Sequence, residues 1–113
     1  MPSEDILDMT LVNELRDIMG EGFAALVQSY QRDVESKLAE LQAALTAGEY
    51  SHLRQVAHSL KGSSGNLGAL QAAAACQTLE QVAESADSAA LVAALEQVAS
   101  TTDAALQALQ ELG

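Results

Sequence analysis

A chain of 113 residues is long enough to bury the core of one ordinary domain. Its apolar content is mostly Ala and Leu, its aromatic residues are Phe23, Tyr30 and Tyr50, and its one proline is Pro2, a composition that favours helix over sheet. A net charge of −11 argues against nucleic acid and anionic membranes as partners, and no apolar run approaches the ~20 residues of a membrane span.

Residues 1–8 read as an acidic lead-in in which Ile6 and Leu7 are the side chains able to dock. Thr10 is the expected N-cap of a short helix carrying Leu11, Val12, Leu15, Ile18 and Met19 and ended by Gly20. That helix is too short to be a full bundle member and should cover one end. From Glu21 to Ala47 the series Phe23, Leu26, Val27, Tyr30, Val34, Leu38, Leu41, Leu45 keeps a spacing of three to four residues, with Gly48 placed to stop it. A third helix starts near Tyr50 and runs into Ser63–Gly68, where Gly62, Gly65 and Gly68 weaken it and Gly68 supplies a left-handed turn. A fourth is predicted from Ala69 to about Ser85, with Ala72, Cys76, Leu79 and Ala83 inward. Asp87 or Ser88 caps the last, whose stripe is Leu91, Leu95, Val98, Leu106, Leu109 and Leu112; Thr101, Thr102 and Asp103 interrupt it, and a less regular stretch is predicted there.

Long amphipathic helices joined by short turns give an all-α fold, an antiparallel up-down-up-down four-helix bundle with a short additional N-terminal helix, as one domain over residues 1–113. The first residues lack the basic-then-apolar pattern of a signal segment, so a cytoplasmic location is expected. Cys76, the sole cysteine, has no internal disulfide partner and fits a reducing compartment.

The third helix carries the unusual residues. With Leu53 set at zero and about 100° per residue, Val56, Ala57 and Leu60 form the apolar stripe, while His58 and Gly62 fall at roughly 140° and 180°. His58 should therefore face water. Sixteen acidic residues are spread over the chain, yet none occurs from Tyr50 to Leu79, whereas Arg54 and Lys61, two of the five basic residues, lie within one turn of His58. That pattern predicts a small cationic island around one imidazole. Gly62 on the exposed face costs roughly 1 kcal/mol of helix stability relative to Ala, and a bare backbone beside the histidine would let another protein come close.

Phosphoryl transfer through histidine suits this arrangement. A neutral imidazole offers one lone-pair nitrogen near neutral pH, and a cation at Lys61 would offset charge on the phosphoryl oxygens. No second nucleophile, metal cage or nucleotide loop accompanies it, so a partner must supply the rest. Simpler readings suffice for the neighbouring residues. His52 is a boundary residue, and six residues separate it from His58, whereas helical metal pairs need three or four. The Gly-Ser-Ser-Gly-Asn-Leu-Gly run is not a phosphate loop, because Lys61 precedes the glycines and no strand leads into it. Ser63 and Ser64 read as small residues that bond back to the helix, and Cys76 as a packed thiol.

The segment Ala57-His58-Ser59-Leu60-Lys61-Gly62-Ser63, with Gly68 after it, resembles the signature of histidine phosphotransfer (HPt) domains, Ala-His-x-Leu-Lys-Gly-Ser-x-x-x-x-Gly. Cys76, Leu79 and Glu80 continue the likeness. The resemblance implies a phosphocarrier, without kinase activity of its own, that is phosphorylated on His58, accepting the group from a receiver-domain aspartate and passing it to another receiver. It further implies Lys61 as the residue that helps with phosphoryl charge, and Gly62 as the open part of a docking surface to which Arg54, Gly65 and Gln77 are added as partner contacts. Glu80 or Gln77 would orient the imidazole. It implies response-regulator receivers and a hybrid sensor kinase as partners, Mg²⁺ bound by the receiver, and no metal or cofactor held by this chain. With no kinase or receiver segment attached, a free-standing carrier is expected, and a monomer, since a dimer through this face would bury the histidine. The competing expectations are a helical adaptor that binds without chemistry and an inhibitor using the same face.

Overall fold

The structure, a computed structural model, describes residues 6–85 and 87–112; residues 1–5 of the predicted lead-in lie outside them. Five helices follow in order: α1 (Met9–Met19), α2 (Gly22–Ala47), α3 (Tyr50–Asn66), α4 (Leu70–Val82) and α5 (Ser88–Leu112). The last four make the bundle. Each packs on the next and α5 closes against α2, because each carries one apolar stripe that must leave water. Leu41, Leu53, Leu60, Leu79, Leu91 and Leu109 are fully buried on the common axis, each worth roughly 1.5–3 kcal/mol. Short connections turn successive helices antiparallel, as at Gly48, whose left-handed backbone (φ 73°) brings its N–H back to the carbonyls of Ala44 and Leu45.

The helix ends differ from expectation in two places. Asp8, not Thr10, caps α1: its side chain accepts from Leu11 N–H at 3.2 Å, which places the helix start two residues earlier. Helix α4 stops at Val82, three residues short of Ser85, and a turn follows. Asp87 caps α5 by accepting from the N–H groups of Ala89 and Ala90. The predicted irregularity at Thr101–Asp103 is absent. Helix α5 runs through unbroken because Thr101 and Thr102 turn their hydroxyls back onto the carbonyls of Gln97 and Val98, at 2.7 and 2.8 Å. Thr102 is thereby buried without an unpaired group.

Helix α1 covers one end of the bundle, as its length predicts. Leu7 is buried and forms an isolated antiparallel bridge with Ala69, and Val12 is buried against Gly68. At its other end Arg16 donates to the carbonyl of Leu112, 3.1 Å away. The segment thus ties the α3–α4 turn to the end of α5.

Two protonated groups are sealed in the core. Burial pushes the Cys76 thiol up to about 12 from an ordinary 9.0 and the Tyr30 hydroxyl up to about 12 from 10.0. Both must stay protonated when folded, so the stability they protect is complete below pH 9 and is lost as pH rises toward 12. Thermal melts should show stability falling by roughly 1.4 kcal/mol per pH step while Cys76 alone titrates, and more steeply above pH 10. Cys76→Ala should delay the onset by about one pH step, and an unchanged alkaline profile in that variant would refute the assignment.

Candidate functional site

Helix α3 presents its site residues because Leu53, Val56, Ala57, Leu60 and Ser64 all point inward. His58 consequently stands out from the bundle with 67% of its side chain exposed. Its Nδ1 lies 3.1 Å from Glu80 Oε2 on α4. A carboxylate only accepts, so Nδ1 carries the proton and donates, which leaves the lone pair on Nε2, the nitrogen turned to solvent. Glu80, not Gln77, is the side chain in hydrogen-bond contact with the ring; Gln77 is exposed and makes no hydrogen bond to it among the described residues.

Glu80 is three-quarters buried, and its other oxygen, Oε1, is 3.5 Å from Lys61 Nζ. This is a contact of charges, since Oε1 has no hydrogen-bond partner among the described residues. One turn away, Arg54 Nη1 meets Glu84 Oε1 at 3.2 Å. The predicted cationic island is thus corrected. The acid-free window is real along the chain, but α4 lies antiparallel to α3 and brings Glu80 and Glu84 to the two basic residues. The signal was present in the spacing: Arg54 and His58 are one turn apart on one helix, as are Glu80 and Glu84 on the next.

Gly62 and Gly65 are exposed, and a methyl group added at either would meet no atom within 4 Å. No internal packing requires glycine at these two helical positions. Ser63 bonds back to the Ser59 carbonyl at 3.3 Å as expected, but Ser64 does not. It is fully buried and its hydroxyl is 2.7 Å from that of Tyr30 on α2, a cross-helix pair that sequence spacing did not disclose. His52 is half exposed, 3.9 Å from Glu40, and away from the site. Among the described residues no three His, Cys, Asp or Glu side chains are arranged to hold a metal, and no helix is long and apolar enough to cross a membrane. A cleft of about 610 Å³ lies between α1, the start of α2 and the end of α5, lined by Arg16, Phe23 and Leu112. It is not at His58, whose surroundings are open surface.

A helical bundle with one exposed, carboxylate-held histidine defines a class, and the comparisons agree with it. The family model described as Hpt domain matches residues 25–112. Histidine-containing phosphotransfer protein B (HptB) from Pseudomonas aeruginosa PAO1 is 31% identical, with a TM-score of 0.88 over 94% of this chain and 92% of that one. The histidine-containing phosphotransfer protein ZmHP2 from maize shares the fold at 21% identity, with a TM-score of 0.79 over 99% of this chain and 90% of that one. No curated protein sequence matches the chain significantly. The chain belongs to the Hpt domain family, whose members are histidine phosphotransfer carriers.

Proposed function

We propose that this protein accepts a phosphoryl group on His58 Nε2 from the aspartyl phosphate of a receiver domain and delivers it to a second receiver. The observation that carries this reading is the contact between Nδ1 and Glu80: the carboxylate accepts from Nδ1–H, which leaves Nε2 with its lone pair toward solvent, beside bare backbone at Gly62. Nε2 attacks phosphorus, the N–P bond forms as the P–O bond to the aspartate breaks, and the aspartate leaves as a free carboxylate. The ring becomes a cationic phosphoimidazole whose Nδ1–H remains on Glu80, so the positive charge rests against a carboxylate. Lys61, close enough to Glu80 for charge contact but not tightly bonded, can turn to the new phosphoryl oxygens. Delivery is the reverse. The receiver brings Mg²⁺, which offsets charge on its own side of the transfer. Arg54, Gly65 and Gln77 lie on the same exposed side and complete the docking face of a monomeric cytoplasmic carrier serving a hybrid sensor kinase and response regulators.

The test is direct: incubation with a phosphorylated receiver and Mg²⁺ should place acid-labile, base-stable label on His58. Stable binding to receivers with no label on the protein would instead establish the adaptor or inhibitor reading.

Gly62 separates docking from folding. Gly62→Gln should raise helix stability by about 0.5–1 kcal/mol, since the site is open and Gln is the better helix former. The same change should slow phosphotransfer on the order of tenfold, about 1.4 kcal/mol of lost docking. Transfer kinetics equal to wild type, measured at sub-saturating receiver, would remove the bare-surface argument.

A further inference from the structure

On the flank of α3 opposite Glu80, a cleft of about 240 Å³ opens between α2 and α3. Ser29, Tyr30 and Asp33 line it from α2, and Ser63 and Asn66 from α3. We infer that this cleft receives a basic side chain of the docked receiver, a guanidinium above all, with Asp33 as its counter-charge. The inference rests on the phosphotransfer reading and adds to it a chemical requirement on the partner.

Position supports it first. Around α3, Gly62 forms the low crest, with His58 on one flank and Ser63 and Asn66 on the other. Ser63 is five residues past His58, about 7.5 Å along the axis. An interface of ordinary size, about 800 Å² per partner, centred near His58 covers both flanks, and the missing side chain at Gly62 lets the partner settle low enough to reach across.

Chemistry supports it second. Asp33 is the one charged side chain lining the cleft. Lys37, one turn on, pairs with its Oδ1, while Oδ2 is shielded from water and has no hydrogen-bond partner among the described residues. A buried carboxylate oxygen without a donor is costly, and rotation of the part-exposed carboxylate toward an incoming cation relieves that cost. Asn66 and the hydroxyls of Ser29 and Ser63 offer further acceptors around it, which suits the several N–H donors of a guanidinium better than a single ammonium. The cleft walls are otherwise apolar, from Leu26 and Leu67, as the stem of a long basic side chain requires.

Two variants decide the matter because both break the same ion pair. Asp33→Asn and Lys37→Met would be compared with wild type against whichever of a panel of purified receiver domains labels wild type fastest, reading the dissociation constant by calorimetry at two salt concentrations. Both positions are partly exposed, so both variants should keep the helical circular dichroism of wild type. Asp33→Asn should weaken docking three- to tenfold and flatten its salt dependence, whereas Lys37→Met, which leaves Asp33 unshared, should bind at least as tightly as wild type. Equal changes in both variants, or no weakening in Asp33→Asn, would overturn the inference and leave the Asp33–Lys37 pair a structural contact. Absence of label on the wild type with every receiver would overturn the phosphotransfer reading itself.

Discussion

His58→Gln should abolish phosphoryl labelling while leaving the melting temperature within a few degrees of wild type. The chemical half follows from the nucleophile. An amide nitrogen has no available lone pair, and the described residues place no other imidazole near Glu80 and Lys61. The structural half follows from exposure: the ring makes one hydrogen bond to a partly buried carboxylate and otherwise faces water. Losing a surface contact of this kind costs at most about 1 kcal/mol, and Gln can still donate to Glu80. Residual label at wild-type levels would move the chemistry to another residue, and a fall of more than about 10 °C would contradict the exposed placement.

Gly68→Ala should have the largest effect on folding of any glycine-to-alanine change among the described residues. Gly68 has φ 72°, which costs an L side chain roughly 1–2 kcal/mol. The added carbon would also lie 3.2 Å from the Asp8 carbonyl oxygen and 3.3 Å from a Val12 methyl. Neither can move freely. Asp8 N–H bonds the Gly68 carbonyl at 2.7 Å, and Val12 N–H bonds the Asp8 carbonyl at 2.9 Å, so a shift there lifts α1 off the bundle end. Strain and lost contact together should reach about 2–4 kcal/mol, a fall in melting temperature on the order of 10–20 °C. Labelling of His58 in the cold should persist, since α3 and α4 keep their own contacts. A melting temperature equal to wild type would show that the turn can relax without α1. The contrast with Gly62, where a side chain should stabilise, is one of surroundings rather than of residue type.

Much of this is legible in the amino-acid sequence. Spacing alone located the buried stripe of α3 and so turned His58 outward, and the glycine after each of α1, α2 and α3 marked three helix ends. Periodicity reports which way a side chain points from its own helix axis. It does not report which residue of the neighbouring helix stands opposite. Hence periodicity sets neither Glu84 beside Arg54 nor Glu80 beside Lys61, although the family resemblance offers Glu80 to the imidazole, and Ser64 reads from spacing as serving its own helix when it serves α2. The Thr101–Asp103 stretch stays regular, against its hydrophobic pattern, for a related reason. Hydroxyls count as polar in a hydrophobic pattern, but a threonine that satisfies itself on the preceding turn packs as a small aliphatic group.

The Tyr30–Ser64 pair bears on how many ways the chain could fold. A core built largely of Ala and Leu is permissive, because rotating one helix about its axis by a residue or sliding it by a turn exchanges one small or aliphatic contact for another of similar size. Two hydroxyls 2.7 Å apart in the interior tolerate no such exchange. Either displacement leaves both sealed from water without a partner, at about 1–3 kcal/mol each. One polar contact therefore selects a single arrangement of α2 and α3 from a set that apolar packing would leave nearly degenerate.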